Sequence, residues 1–242
     1  MITVDHTQQF SKTQVLGHGT LYKTQTNGGG SEGAARIMSS FVRAFRYFNT
    51  HTITNTNTHT HTNTNTNKQN TGTLKSQGNV VVDMYVGIGY FTLPLLVHGK
   101  VKHVHACEIN PDSIEALRKN LELNRVDPDR YTIHHGDNVE TAKRLVGIAD
   151  RVCLGFLPSA KLAYKSAVSM LRRDCGGWLH VHGNVHEDEH NEFARSLEKT
   201  LGSHARSLGL KNWKARVMHI ERVKSYAPRV DHLVLDVRMG LL

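Results

Sequence analysis

Residues 79–242 are predicted to form an α/β domain on a mostly parallel sheet, and three observations predict it. After Gly78, short apolar runs alternate with segments of helical period. A glycine turn follows the first of these runs, and carboxylates or amides close consecutive ones. Residues 1–78 lack any such pattern and are expected to be a low-complexity, disordered N-terminal region.

Taken in order, NVVVDMY (79–85) reads as a buried strand and YFTLPLLVHG as the first helix, with Pro94 early in it. VKHVHACE (101–108) is the second strand. The helix Pro111 to Asn124 follows, with Ile114, Leu117, Leu121 and Leu123 as its apolar positions. YTIHHGD (131–137) is the third strand and ADRVCLGFL (149–157) the fourth, followed by a helix from Ser159 to Arg173. GGWLHVHGN (176–184) is the fifth strand, and the charged stretch 187–208 reads as an exposed helix. Lys214 to Lys224 and Val230 to Arg238 make a closing strand pair around Tyr226-Ala227-Pro228.

The N-terminal third is different in kind. Residues 34–48 place Ile37, Met38, Phe41, Val42 and Phe45 on one helical face beside Arg36, Arg43 and Arg46, which alone makes a packing helix or no stable helix. Asn49 to Asn70 is almost wholly Thr, Asn and His, too polar to offset the entropy of ordering. The HTHT of His59 to Thr62 is what a repeated CA dinucleotide encodes, so a translated microsatellite is expected there. Metal binding by His51, His59 and His61 has nothing to fix its geometry.

The formal charge is +9, with basic excess in both parts of the chain, as suits a partner with a phosphate backbone. Cys107, Cys153 and Cys175 sit among apolar residues without CxxC spacing, which points to a reducing compartment. No run nears the ~20 apolar residues of a membrane span, and the amino terminus has no secretory layout. A cytoplasmic monomer without membrane or metal is expected. His182, His186 and His190 fall at four-residue spacing but have no evident third ligand, and read as surface histidines. His180 and His182 share one strand face, as half-exposed residues or as stacking groups.

The informative segment is Asp83-Met84-Tyr85-Val86-Gly87-Ile88-Gly89-Tyr90-Phe91-Thr92. Gly87 and Gly89 let the backbone turn sharply and approach a ligand. A dinucleotide fingerprint wants a third small residue where Thr92 stands, which weakens a nicotinamide reading. Glu108, ending the second strand 19 residues after Gly89, can accept two hydrogen bonds from a ribose diol. Asp137 and Asn138 close the third strand and suit an adenine amino group and ring edge; capping the following helix is the alternative use for either.

DMYVGIGYFTLPLLVHG, HACEINPDSIEALRKNLELN, HHGDN, LGFLPSA, GGWLHVHGNV and ERVKSYAPRVDHLVLDV together resemble the tRNA wybutosine-synthesising protein 2 family over nearly all of residues 79–238. The resemblance implies a Rossmann-like class I methyltransferase fold with a terminal antiparallel strand. It also implies transfer of the 3-amino-3-carboxypropyl group of S-adenosyl-L-methionine to carbon 7 of demethylwyosine in the anticodon loop of tRNA(Phe). An electron-rich ring carbon would attack the γ-carbon of the methionyl chain, 5'-methylthioadenosine would leave and the ring would lose a proton. Proximity and orientation would do the work, so no catalytic residue is assigned.

Carried over, Glu108 would hold the ribose, Asp137 and Asn138 the adenine, and Tyr85, Gly87 and Gly89 would line the cofactor. Pro158 would border the target base, with Asn184 at the end of the fifth strand nearby. The sister family, the tRNA guanine N1-methyltransferases, typically shows Asn-Leu-Pro where this chain has Phe156-Leu157-Pro158, which favours the aminocarboxypropyl branch. Members of the family carry a substantial tRNA-seating segment and a Met-Phe-Ser motif upstream. The glycine and Thr/Asn/His tracts stand in that space here, so the chain reads as a fragment or an imperfect gene product, and a non-catalytic remnant is the third reading.

Overall fold

A computed structural model of the chain describes residues 15–17, 20–22, 79–99 and 101–241. The expected helix over 34–48, the disorder of the Thr/Asn/His tract and its histidines lie outside the described residues. Strands β1 (Val15–Gly17) and β2 (Thr20–Tyr22) form a small antiparallel ladder where the sequence has no sustained period.

The remaining strands are β3 (Asn79–Asp83), β4 (Val101–Glu108), β5 (Tyr131–His135), β6 (Arg151–Leu154), β7 (Gly177–His186), β8 (Lys214–Ala227) and β9 (Val230–Gly240). They form one seven-stranded sheet in the order β5-β4-β3-β6-β7-β9-β8. β3 to β7 are parallel, and β9 is antiparallel to both β7 and β8. The chain moves outward from β3 on one side, then returns to add β6 and β7 on the other. The carboxyl ends of β3 and β6 therefore meet at a topological switch point, where open α/β sheets bind ligands.

Period-two alternation splits the apolar residues between two cores. Val81, Val104, Ala106 and Cys153 face α1 (Thr92–Val97) and α2 (Pro111–Leu123) through Leu93, Leu96, Leu117 and Leu121. Val82, Val152, Leu179, Val181 and Leu235 face α3 (Asn138–Ala142), α4 (Tyr164–Met170) and α5 (His190–Ser207).

Several elements differ from expectation for local reasons. β6 is shorter at both ends, because the Asp150 side chain accepts from the Val80 amide at 2.8 Å and Gly155 packs against the Phe91 ring. The helix expected from Ser159 begins only at Tyr164, since Ser159 instead bridges to Gly183 of β7. α5 buries Leu197, Leu201 and Ala205 and is amphipathic rather than simply exposed. Cys107 and Cys153 are buried, whereas Cys175 is exposed and lies before β7. The outer strand β8 runs for 14 residues with register shifts at Val217/His219, Arg222/Lys224 and Ser225/Ala227.

Candidate functional site at the carboxyl edge

The turn after β3 is fixed before any ligand is considered. The Met84 and Val86 amides donate to the carbonyls of Cys153 and Cys107, each at 3.1 Å, extending the ladder past Asp83 on both sides. Asn120 of α2, fully buried, donates from Nδ2 to the Ile88 carbonyl at 2.9 Å. Gly87 takes φ +54°, and a Cβ there would meet nothing within 4 Å. Gly89 takes φ +104°, and a Cβ there would lie 2.8 Å from Leu117 Cδ1. The two glycines therefore differ in use: Gly87 opens a space, and Gly89 lets the turn close onto α2.

Glu108 is the hub of the edge. Its Oε2 accepts from the Gly87 amide at 2.9 Å, and its Oε1 from the Ile109 and Asn110 amides, each at 2.9 Å. Three amides fill three of the roughly four acceptor positions of a carboxylate, so Oε2 keeps one for a ligand hydroxyl.

Asp137 caps α3: Oδ1 accepts from Val139 at 2.7 Å and Glu140 at 3.3 Å. The capping use foreseen for it is thus real, and its second oxygen is left on an exposed side chain. Asn138 donates from Nδ2 to the Met84 carbonyl at 3.3 Å and lies near the Tyr85 hydroxyl. Burial, with Asp137 nearby, raises the Tyr85 phenol above its ordinary pKa. Tyr85, Gly87, Glu108, Asp137 and Asn138 are thus drawn from three strand ends into one group.

Pro158 and Asn184 are also brought together, the Asn184 amide donating to the Pro158 carbonyl at 3.0 Å. Asn184 Oδ1 is buried without a hydrogen-bond partner, as is Nδ1 of His232, its register partner on β9. Such atoms cost free energy unless something donates to or accepts from them.

Three contributors escaped the sequence reading. Asp83, fully buried, accepts from Thr92 Oγ1 at 2.9 Å through Oδ2, while Oδ1 has no partner. Burial pushes its carboxyl up to about 6, an effect that the Thr92 hydroxyl and the nearby Tyr85 amide only partly offset and Glu108 adds to. An acid ending a run of valines was the available signal. Ile109 and Val139 are the other two, 63% and 41% exposed, each beside a residue of the polar group. Large apolar side chains flanking acceptors suit the faces of a planar ring.

Two histidines of β7, His180 and His182, are buried rather than surface groups, whereas His186 and His190 are partly exposed. His180 lies 2.5 Å from Asp236 through Nδ1, and His182 Nδ1 lies 3.0 Å from His232 Nε2. His182 is buried, with Phe91 against its ring at 5.1 Å. Burial, with His232 and His180 beside it, lowers its pKa to about 3. Among the described residues no group of three or more His, Cys, Asp or Glu could hold a metal, and no helix is long and apolar enough to cross a membrane.

The family model for the TRM5/TYW2 methyltransferase domain matches residues 56–207. A tRNA wybutosine-synthesizing protein 2/3/4 of Arabidopsis thaliana is 48% identical over 171 residues, covering 71% of this chain and 17% of the relative. The human tRNA wybutosine-synthesizing protein 2 homolog is 39% identical over 218 residues, covering 70% of this chain and 48% of the relative. The chain thus spans about half or less of the length of these relatives.

Among solved structures, M. jannaschii TYW2 in complex with AdoMet aligns with a TM-score of 0.61 at 24% identity, covering 95% of this chain and 87% of that one. Pyrococcus abyssi Trm5b aligns with a TM-score of 0.62 at 23% identity, covering 94% and 56%. These structures share the fold: a Rossmann-like sheet with antiparallel closing strands. With the family model matching more than half of its residues, the chain belongs to the TRM5/TYW2 methyltransferase domain family.

Proposed function

We propose that this chain is a tRNA-modifying transferase. It would bind S-adenosyl-L-methionine at the carboxyl edge and pass the 3-amino-3-carboxypropyl group to the demethylwyosine base in the anticodon loop of tRNA(Phe). One observation carries the reading: Tyr85, Gly87, Glu108, Asp137 and Asn138 stand at three adjacent strand ends beside the switch point of a TRM5/TYW2 domain, with Glu108 bonded to the Gly87 amide and Asn138 to the Met84 carbonyl. The names of the curated relatives, wybutosine-synthesizing proteins, favour this branch over guanine N1-methylation.

The residues present fit the co-substrate. The last acceptor position of Glu108 takes a ribose hydroxyl, and the space over Gly87 admits the ligand where a Cβ would project. Asp137 and Asn138 receive the adenine edge, with Ile109 and Val139 beside its faces. Glu108 and Asp137 give the rim two acids, which complement a sulfonium and an ammonium group. Bound there, S-adenosylmethionine supplies an electrophilic γ-carbon. The chain's part is to fix that carbon against the incoming base and hold water away. Pro158 and Asn184 border the base, the Asn184 amide holding the Pro158 carbonyl at 3.0 Å. We place the cofactor-binding unit at residues 79–242, acting as a cytoplasmic monomer.

Calorimetry with S-adenosylmethionine, followed by incubation with tRNA carrying the demethylwyosine precursor, tests this. Binding and release of 5'-methylthioadenosine are expected. S-adenosylhomocysteine as the by-product would assign the chain to methyl transfer, and neither product with no binding would leave a fold without activity.

A further inference from the structure

We propose that a cleft at the far end of α2 takes a phosphorylated nucleoside unit, with its phosphate between Arg118 and Arg125. The cleft has a volume of about 530 Å³ and lies where α2 gives way to β5, at the amino edge of the sheet. It is therefore separate from the carboxyl-edge site and does not depend on the transferase reading.

The backbone gives the first indication. Among the described residues, two that are not glycine adopt a left-handed φ, Arg229 at +58° and Arg125 at +52°. That conformation is costly for a residue with a Cβ. Arg229 is compensated, its guanidinium donating to Glu187 at 2.8 Å and to Asp188 at 2.5 Å. Arg125 has no such compensation: among the described residues its side chain forms no ion pair and no hydrogen bond. It stands just past the helix where glycine is usual, the Val126 amide donating to the Leu121 carbonyl at 3.0 Å and the Arg125 amide to the Glu122 carbonyl at 2.9 Å. A glycine would close α2 without strain, so what the arginine adds is its side chain.

That side chain has a neighbour of the same kind. Arg118, Glu122 and Arg125 share one helix face by their spacing, yet neither exposed guanidinium is ion-paired to a described carboxylate. Arg130, by contrast, is committed to the fold, donating to the Leu96 and Val101 carbonyls at 2.8 and 2.9 Å. The Asn120, Leu121 and Glu122 carbonyls are already bonded, so the helix end presents no bare acceptors to an anion. Two forked cations over one cavity suit a phosphate. Val126 and Tyr131, also lining the cavity, pack against the core around Leu117 and Leu121 and are held in place. Asp127 Oδ1 accepts from the Asp129 amide at 3.0 Å, which fixes the turn bearing Pro128. Tyr131 and Pro128 offer flat faces to a base, and the Glu122 and Asp127 carboxylates accept from sugar hydroxyls. The occupant is a nucleotide, either free or one link of an RNA strand.

The test is calorimetry on the full chain with S-adenosylmethionine at saturation, which keeps the carboxyl edge filled. The ligands are UMP, uridine, inorganic phosphate and pentauridylate. Wild-type chain should bind UMP at least about ten-fold tighter than uridine or phosphate, and Arg118→Gln and Arg125→Gly should each weaken UMP about 10- to 100-fold. Arg125→Gly should also raise the urea midpoint, and both variants should keep S-adenosylmethionine affinity within about two-fold. Pentauridylate binding more than about ten-fold tighter than UMP, with the same dependence on both arginines, assigns the cleft to an RNA strand; otherwise it belongs to the free nucleotide.

No binding of UMP or pentauridylate by the wild type overturns the proposal, as does unchanged affinity in the two variants, which would leave the arginines as helix-end charges. Uridine or phosphate binding as tightly as UMP also overturns it. A parallel loss of S-adenosylmethionine affinity would place both ligands in one site and overturn it too.

Discussion

On the function proposed, Glu108 has two jobs for one carboxylate, and they can be separated. Its three amide contacts hold the glycine turn and the entry to α2, and hydrogen bonds to a charged acceptor are each worth about 1.5–3 kcal/mol when removal leaves a partner unpaired. Glu108→Gln keeps the volume but sets an NH2 group where an acceptor is needed. We expect S-adenosylmethionine affinity to fall about 10- to 100-fold by calorimetry, together with a lower urea midpoint. Asp137→Ala should lose the helix cap, ~1 kcal/mol, with a smaller effect on affinity. If Glu108→Gln bound as tightly as the wild type, the acid would be a structural staple only.

At the scale of the element, the turn between β3 and α1 gives the sharpest contrast. Gly87→Ala places a methyl in open space at φ +54°, so it should cost only the left-handed strain, ~1–2 kcal/mol, while obstructing the ligand. Gly89→Ala adds a clash with Leu117 and Leu93, and ~1–3 kcal/mol more of stability should go. Urea denaturation and calorimetry on both variants check this, with Gly87→Ala the milder in stability and the more severe in binding. Equal effects on both measures would put the two glycines in one role.

The sequence could show that glycines were needed in this turn, because period and position mark it. It could not show which neighbour each one accommodates, since Leu117 reaches Gly89 only once α2 has packed. The same limit explains the rest. The succession of strands and helices and the polar strand ends were legible from local pattern, whereas the order of strands in the sheet was not. The burial of His182 and the stacking of Phe156 on Tyr85 depend on cross-strand and loop contacts that no local pattern encodes.

In the whole molecule, two buried groups pull stability in opposite directions with pH. Asp83 titrates at about 6 when folded against 3.8 ordinarily. The unfolded chain therefore releases this proton first, and the stability it contributes below 3.8 is lost as pH rises through 6. His182 titrates at about 3 when folded against 6.5, so its contribution is present above 6.5 and lost as pH falls toward 3. Each slope is ~1.4 kcal/mol per pH unit, and the two oppose one another between 3.8 and 6. Asp83→Asn removes one of them. The variant should gain on the wild type by about 2–3 kcal/mol between pH 4 and pH 7 in urea unfolding, and parallel curves would show that Asp83 ionises in the folded chain just as it does in the unfolded one.

The outer strand β8 has a bearing on how copies of the chain meet. A 14-residue edge strand exposes a row of backbone donors and acceptors, ready to be extended by another chain's strand. Here the row is broken at three register shifts and bears exposed Lys214, Arg216, Arg222 and Lys224. A like edge brought alongside would meet matching kinks and matching positive charge. The sheet therefore ends in a surface that resists being lengthened, and the molecule can carry a long open strand without inviting fibrous stacking.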